Sequence, residues 1–71
     1  MHIFDMETLH AYMKTNNLTQ QAFADMVGLT QGTVSQWLKG QTRVSAENAR
    51  LIERATSGAV KAAELRPDVF S

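Results

Sequence analysis

The chain has 71 residues, and seven lysines and arginines balance seven aspartates and glutamates, so its formal net charge at pH 7 is zero. This length allows one small domain that buries only about 60% of its surface, which is little for an enzyme pocket. The absence of cysteine excludes disulfides and thiolate metal sites and is compatible with a reducing cytoplasm.

Neither a membrane nor a secretory segment is expected. No apolar run approaches the roughly 20 residues that cross a bilayer, and the N-terminus lacks the basic region of a signal peptide. We therefore expect a cytoplasmic protein with no membrane partner. Because nucleic-acid-binding domains are usually basic, the zero net charge is at first sight an argument against that class of function.

Hydrophobic periodicity predicts five short helices and no strand, so the expected fold class is all-α. The first helix covers residues 6–15, with Asp5 as its N-cap and Asn16 and Asn17 at its end, where asparagine tolerates the left-handed conformation. It is followed by helices over residues 20–27 and 31–39, which Thr19 and Thr30 are expected to cap.

The second half of the chain contains the last two predicted helices. Ser45 is the expected N-cap of the fourth helix, which Gly58 ends. A fifth short helix covers residues 62–65, because Pro67 excludes the preceding residue from helical geometry. On the fourth helix, Arg50 and Arg54 are spaced to form surface ion pairs with nearby glutamates.

The informative segment is residues 20–39, in which two helices are separated by a turn at Gly28. Ala24 is small enough to let the helices approach closely, and Val34 and Trp37 are spaced to fill the space beneath the second helix. This pattern resembles the helix-turn-helix of phage repressors and Cro proteins, in a lambda-repressor-like bundle. The core of the motif comprises Phe23, Ala24, Gly28, Val34, Trp37 and Leu38.

A longer stretch of the chain resembles a narrower group, the YdaS-like, Cro-related prophage regulators. The similarity is carried by residues 34–40, by Arg43 and Val44, and by residues 64–70. Ser45 departs from that group, in which proline is common, and so does Lys61, where serine or threonine often caps the last helix. The resemblance implies one domain over residues 1–71, with a short C-terminal helical segment at 60–71.

The resemblance also implies which side chains contact DNA. The second helix of the motif would enter the major groove, where glutamine can pair bidentately with adenine. The base-reading candidates are Gln31, Gly32, Thr33, Ser35 and Gln36. The candidates for phosphate contacts are Gln20, Lys39, Gln41, Thr42 and Arg43.

The function implied is sequence-specific transcriptional repression, in which the protein occupies a double-stranded DNA operator and excludes polymerase. A homodimer, at least on DNA, would bind a two-fold operator with half-sites about 34 Å apart. We place the dimer surface in the C-terminal third, where Ala59, Val60 and Ala62 offer an apolar patch. Whether Phe70 packs on the core or on a partner stays open.

Three other functions are weighed against repression. One is an antitoxin-like regulator with a toxin or other protein partner, and another is a helix-turn-helix used only for protein binding. An enzyme is not expected, since no arrangement of catalytic residues is visible, and no cofactor is expected. His2 and His10 lie eight residues apart without a third ligand, so no metal site is expected.

The zero net charge conceals an uneven distribution. Residues 26–46 contain no acid, while Lys39 and Arg43 give this stretch a charge of +2. The balance therefore does not exclude DNA binding. It predicts little non-specific affinity and a shallow salt dependence, because polar contacts and dimerisation would contribute most of the binding.

Overall fold

A computed structural model describes residues 6–70, and within this range the chain forms five α-helices and no strand. This confirms the all-α fold class. Asp5 and His2, named above as a helix cap and as a metal-ligand candidate, lie outside the described residues. The helices are α1 (Glu7–Thr15), α2 (Gln20–Val27), α3 (Gln31–Leu38), α4 (Ala46–Ala55) and α5 (Ala62–Leu65).

Three helices begin at the hydroxyl residues that the sequence indicated. Thr19, Thr30 and Ser45 have extended backbones, and each side-chain oxygen accepts a hydrogen bond from the backbone N–H three residues later. The donor–acceptor distances are 3.0, 3.3 and 3.1 Å. The predicted starts of α2, α3 and α4 are confirmed, because these caps satisfy amides that have no partner inside the helix.

Helix α5 begins without a hydroxyl cap, since Lys61 stands at its N-cap position. Two carboxylates replace the missing acceptor. Glu64 Oε1 accepts from the backbone N–H of Lys61 at 3.0 Å, and Glu53 Oε1 accepts from that of Ala62 at 2.6 Å. Lys61 has no hydroxyl to cap the helix, and Glu53 of α4 supplies an acceptor for the first backbone N–H of α5 instead.

The helix α4 ends two residues before the position expected from Gly58 as its terminating residue. The helix ends at Ala55, and Thr56 is its C-cap. Ser57 and Gly58 then both adopt positive φ, 54° and 84°. The physical reason is Thr56, whose buried hydroxyl donates to the Ile52 carbonyl at 2.8 Å and accepts from the Val60 N–H at 3.1 Å, so the chain turns there.

One hydrophobic core joins residues from all five helices. Its largest side chains without exposed surface are Trp37, Phe23, Leu9, Ile52, Val34, Val44 and Val60. Val60 and Ala62, which the sequence suggested as part of a dimer patch, are both buried in this core. That part of the expectation is wrong, because a side chain packed inside the monomer cannot also cover a second copy.

We expect Thr56→Val to destabilise the protein by about 1–3 kcal/mol, because the buried Val60 N–H would lose its acceptor. Urea unfolding followed by circular dichroism measures this change. Thr56→Ser is the matched control, since it keeps the hydroxyl and should lose much less. A Thr56→Val variant as stable as the parent would show that the hydrogen bond does not hold this turn.

Candidate nucleic-acid interface

The helices α2 and α3 pack directly against each other through a turn at residues 28–30. Gly28 adopts φ 77°, a left-handed conformation that favours glycine, and the Leu29 N–H closes the turn on the Ala24 carbonyl at 2.9 Å. Ala24, Val34 and Trp37 are buried between the helices and the core. The pair is therefore held by one turn and by apolar packing on its inner side.

The outer face of α3 is polar and carries no charge. Gln31, Gly32 and Gln36 are exposed, while Thr33 and Ser35 are half-buried. Leu38, on the inner side, is half-buried and packs against the core. Three of the five base-reading candidates thus share an accessible surface on one short helix.

Gln31 and Gln20 form a hydrogen bond that the sequence did not indicate. Gln31 Nε2 donates to Gln20 Oε1 at 2.6 Å, which connects the first residue of α3 with the first residue of α2. The two residues are 11 positions apart, so no local pattern marks the contact. It brings together a base-reading candidate and a phosphate candidate.

The hydroxyl of Thr33 is used within the protein. Its Oγ1 lies 2.9 Å from Oγ1 of the cap residue Thr30, and its backbone N–H donates to the same oxygen. This fixes the first turn of α3. The Thr33 hydroxyl therefore already has a partner within the protein, while the amides of Gln31 and Gln36 are exposed polar groups on this face.

The loop after α3 contains four of the five phosphate candidates. Gly40 adopts φ 75°, and the following N–H groups of Gln41 and Thr42 return to the Gln36 carbonyl at 2.9 and 3.5 Å. The side chains exposed around this turn are those of Lys39, Gln41, Thr42 and Arg43. The loop thus lies beside the C-terminal end of the exposed α3 face.

Arg43 is paired with an acid that lies 25 residues further along the chain. Its Nη2 is 3.1 Å from Asp68 Oδ2, and the same carboxylate receives Nε and Nη2 of Arg66 at 2.9 and 2.7 Å. The Arg66 hydrogen bonds hold the pKa of Asp68 well below its usual range and raise the pKa of Arg66. Asp68 is therefore negatively charged at neutral pH, directly beside a phosphate candidate.

This contact corrects the charge distribution expected from the sequence. Residues 26–46 contain no acid of their own, but Asp68 folds back against Arg43, and Arg66 comes with it as a further cation on the same carboxylate. Arg66 also donates to the Val44 carbonyl at 3.0 Å, so the C-terminal segment is attached to the loop twice. Sequence spacing could not show this, because the partners lie on distant parts of the chain.

The surface ion pairs expected on α4 do not form among residues 6–70. Neither Arg50 nor Arg54 has a salt bridge to a carboxylate in this range. Arg50 instead lies over the Phe70 ring, 4.9 Å from its centroid, and Phe70 packs against the core. Phe70 therefore packs on the core of its own chain.

No helix among the described residues is long and apolar enough to cross a membrane. Within the same part of the chain, no three His, Asp or Glu side chains converge into a group that could hold a metal ion.

The chain belongs to the family described as "Bacterial toxin YdaS", whose model matches residues 19–71, more than half of the sequence. The match includes both helices of the candidate interface and the C-terminal segment that carries Arg66 and Asp68. It therefore agrees with the resemblance found in residues 34–70.

A curated relative adds a second comparison. The chain is 46% identical over 50 residues to "Putative transcriptional regulator YdaS" of Escherichia coli strain K12. The alignment covers 70% of this chain and 51% of the relative, so the chain spans about half the length of the relative that it matches. No solved structure matches the chain.

We expect Gly32→Ala to stabilise the free protein by about 0.5–1 kcal/mol, because alanine is the better helix former. A Cβ built at Gly32 meets no atom within 4 Å, so nothing in the fold requires the glycine. Thermal unfolding measures the gain in stability, and Ser35→Ala, three residues further along α3, should give a smaller gain because serine is a better helix former than glycine. A loss of stability in Gly32→Ala would show that the fold itself needs glycine there.

Proposed function

We propose that this protein is a transcriptional regulator that binds duplex DNA sequence-specifically, with residues 20–39 acting as a helix-turn-helix. The observation that carries the proposal is the arrangement of α3, which buries Val34 and Trp37 and exposes Gln31, Gly32 and Gln36. A major groove about 12 Å wide admits one helix, and the exposed amides can hydrogen-bond to base edges there. The name of the curated relative supports a regulatory role.

The bond between Gln20 and Gln31 leaves Gln31 with the groups that adenine recognition needs. Gln31 uses one Nε2 hydrogen on Gln20 and keeps one hydrogen and its Oε1 acceptor. Adenine offers one acceptor, N7, and one donor, N6, in the major groove. The contact with Gln20 also holds a flexible side chain in place before DNA arrives, which reduces the entropy lost on binding.

Phosphate contacts are proposed for both ends of the helix pair. At one end, Gln20 accepts from Gln31 through Oε1, so its Nε2 group can donate to a phosphate oxygen. At the other end, side-chain donors stand around the turn at Gly40, on Lys39, Gln41, Thr42 and Arg43. Such contacts fix the register of the protein on DNA, while the base contacts select the sequence.

We further propose that the protein represses transcription by binding a two-fold operator. One helix pair contacts only a few base pairs, and a homodimer on half-sites about 34 Å apart would double the contact area. Because Val60 and Ala62 are buried, the dimer surface must use other groups. Among the described residues, Met26 and Val69 are the large apolar side chains that remain exposed, at 39% and 49%.

The base-reading role is tested by Gln31→Ala and Gln36→Ala, measured by fluorescence anisotropy on a site selected from random duplexes. Each change should weaken binding to that site by about 1–3 kcal/mol and have little effect on random DNA. Gln21→Ala is the matched control, since Gln21 is an exposed glutamine on α2 that bonds to Asp25. It should bind like the parent.

Two results would contradict the proposal in different ways. Equal weakening on selected and random DNA would show that these glutamines do not read bases. Binding of the parent protein that is no stronger for any selected sequence than for random DNA would favour a helix pair that serves protein binding alone.

The family description favours a second candidate function, growth inhibition of the host cell. If toxicity arises from DNA binding, induced expression of the parent should slow growth and Gln36→Ala should relieve the inhibition at equal protein level. Growth curves with Gln21→Ala as control measure this effect. Unchanged growth with the parent would remove the toxin candidate, and a copurifying toxin would favour the antitoxin-like regulator instead.

A further inference from the structure

Asp68 occupies a position that the sequence alone did not connect with nucleic-acid binding. Its carboxylate lies against Arg43, which the proposed function uses for a phosphate contact, and Arg66 holds it there through two hydrogen bonds. Arg66 is itself anchored on the Val44 carbonyl at 3.0 Å. The acid is thus fixed next to the loop rather than carried on a freely moving tail.

We propose that Asp68 acts as an internal competitor of DNA phosphate at Arg43 and so weakens the sequence-independent part of DNA binding. A carboxylate and a phosphate oxygen are both anionic acceptors for the same guanidinium donors. Each phosphate that binds Arg43 must therefore approach a site where a negative charge already sits. The inference rests on the proposed function, because it assigns a regulatory role to the same loop.

The geometry favours competition over a role in orienting Arg43. Asp68 Oδ2 is closer to Arg66 Nη2, at 2.7 Å, than to Arg43 Nη2, at 3.1 Å. Arg66 also contacts the other carboxylate oxygen through Nε, whereas the hydrogen bond from Arg43 is to Oδ2. Arg66 consequently keeps Asp68 in place whatever Arg43 does, and Arg43 can exchange its contact for a phosphate without moving the acid.

The surroundings of Arg43 indicate how such a contact would act on binding. Lys39 and Arg43 are the cations of residues 26–46, and α3 itself carries no charge. Arg66 adds a third cation, on the same Asp68 carboxylate, so the cluster of Arg43, Arg66 and Asp68 keeps a net charge of +1. Asp68 therefore lowers, but does not cancel, the attraction of this surface for the phosphate backbone. Binding then depends more on the amides that contact bases, which is the property of a regulator with little affinity for random DNA.

Asp68→Asn tests the proposal, because asparagine keeps the size and one acceptor but removes the charge. Binding to a short random-sequence duplex is measured by anisotropy between about 50 and 200 mM salt. We expect several-fold tighter binding at the low-salt end, and a salt slope steeper by up to about 0.9, the value for one additional neutralised phosphate. Asp25→Asn, on α2, changes the net charge equally and should have a much smaller effect.

A second pair of variants separates the contact from a general charge effect. In an Arg43→Gln background, Asp68→Asn should tighten binding much less, since the guanidinium for which the two anions compete is gone and only the general effect of the lost charge beside Arg66 remains. Asp68→Ser removes the same charge and should reproduce the tighter binding if Asp68→Asn folds poorly. Thermal unfolding of each variant shows which of them remain folded at the temperature of the binding measurement.

The outcomes distinguish this inference from the proposed function. If Arg43→Gln alone leaves random-DNA affinity and its salt slope unchanged, Arg43 contacts no phosphate and that part of the proposed function fails. If Arg43→Gln weakens binding while Asp68→Asn leaves it unchanged or weakens it, competition is overturned, and a weakening would show that Asp68 orients Arg43. Equal tightening by Asp25→Asn would also overturn the proposal, since net charge alone would then explain the change.

Discussion

The packing of Val34 and Trp37 beneath α3 is the constraint on which the rest of the candidate interface depends. The helix has eight residues, and isolated helices shorter than about 12–15 residues are marginal in water. Packing against the core and the Thr30 cap therefore stabilise the helical conformation of α3 more than its own backbone hydrogen bonds do. Because the inner side is fixed by burial, the outer side can consist of glutamine, glycine and serine without loss of order. The same packing sets the position of the loop at residues 39–43.

Local features of the fold were predictable from the sequence, and contacts between distant residues were not. The caps Thr19, Thr30 and Ser45 act within three residues, so their hydroxyl chemistry is visible in the sequence. The end of α4 was misplaced because Thr56 bonds to Val60 and turns the chain early. Likewise, the buried positions of the candidate site follow a helical period, whereas the contacts from Gln20 to Gln31 and from Arg43 to Asp68 join separate elements. No periodic pattern encodes such pairs.

The charge of the molecule is best understood from these long-range contacts. A net charge of zero is unusual for a nucleic-acid-binding domain. Residues 26–46, however, contain no acid and carry two cations, so the charge is unevenly distributed along the chain. The folded chain then returns one acid, Asp68, to this stretch beside Arg43, together with Arg66, which is paired with the same carboxylate. An interface of this kind has few cations and several amides. Base contacts would therefore contribute more to the free energy of DNA binding than phosphate contacts. The family match includes both the helix pair and the C-terminal segment that supplies the acid.

The central claim is that the exposed face of α3 reads a DNA sequence, and selection from a library of random duplexes tests it most directly. The purified chain is mixed with the library, and bound duplexes are recovered and sequenced over several rounds. We predict enrichment of one motif, with two inverted half-sites whose centres are about 34 Å apart. Enrichment by the parent but not by Gln36→Ala would connect the motif to α3. A recovered pool with no sequence preference over the starting library would contradict the claim.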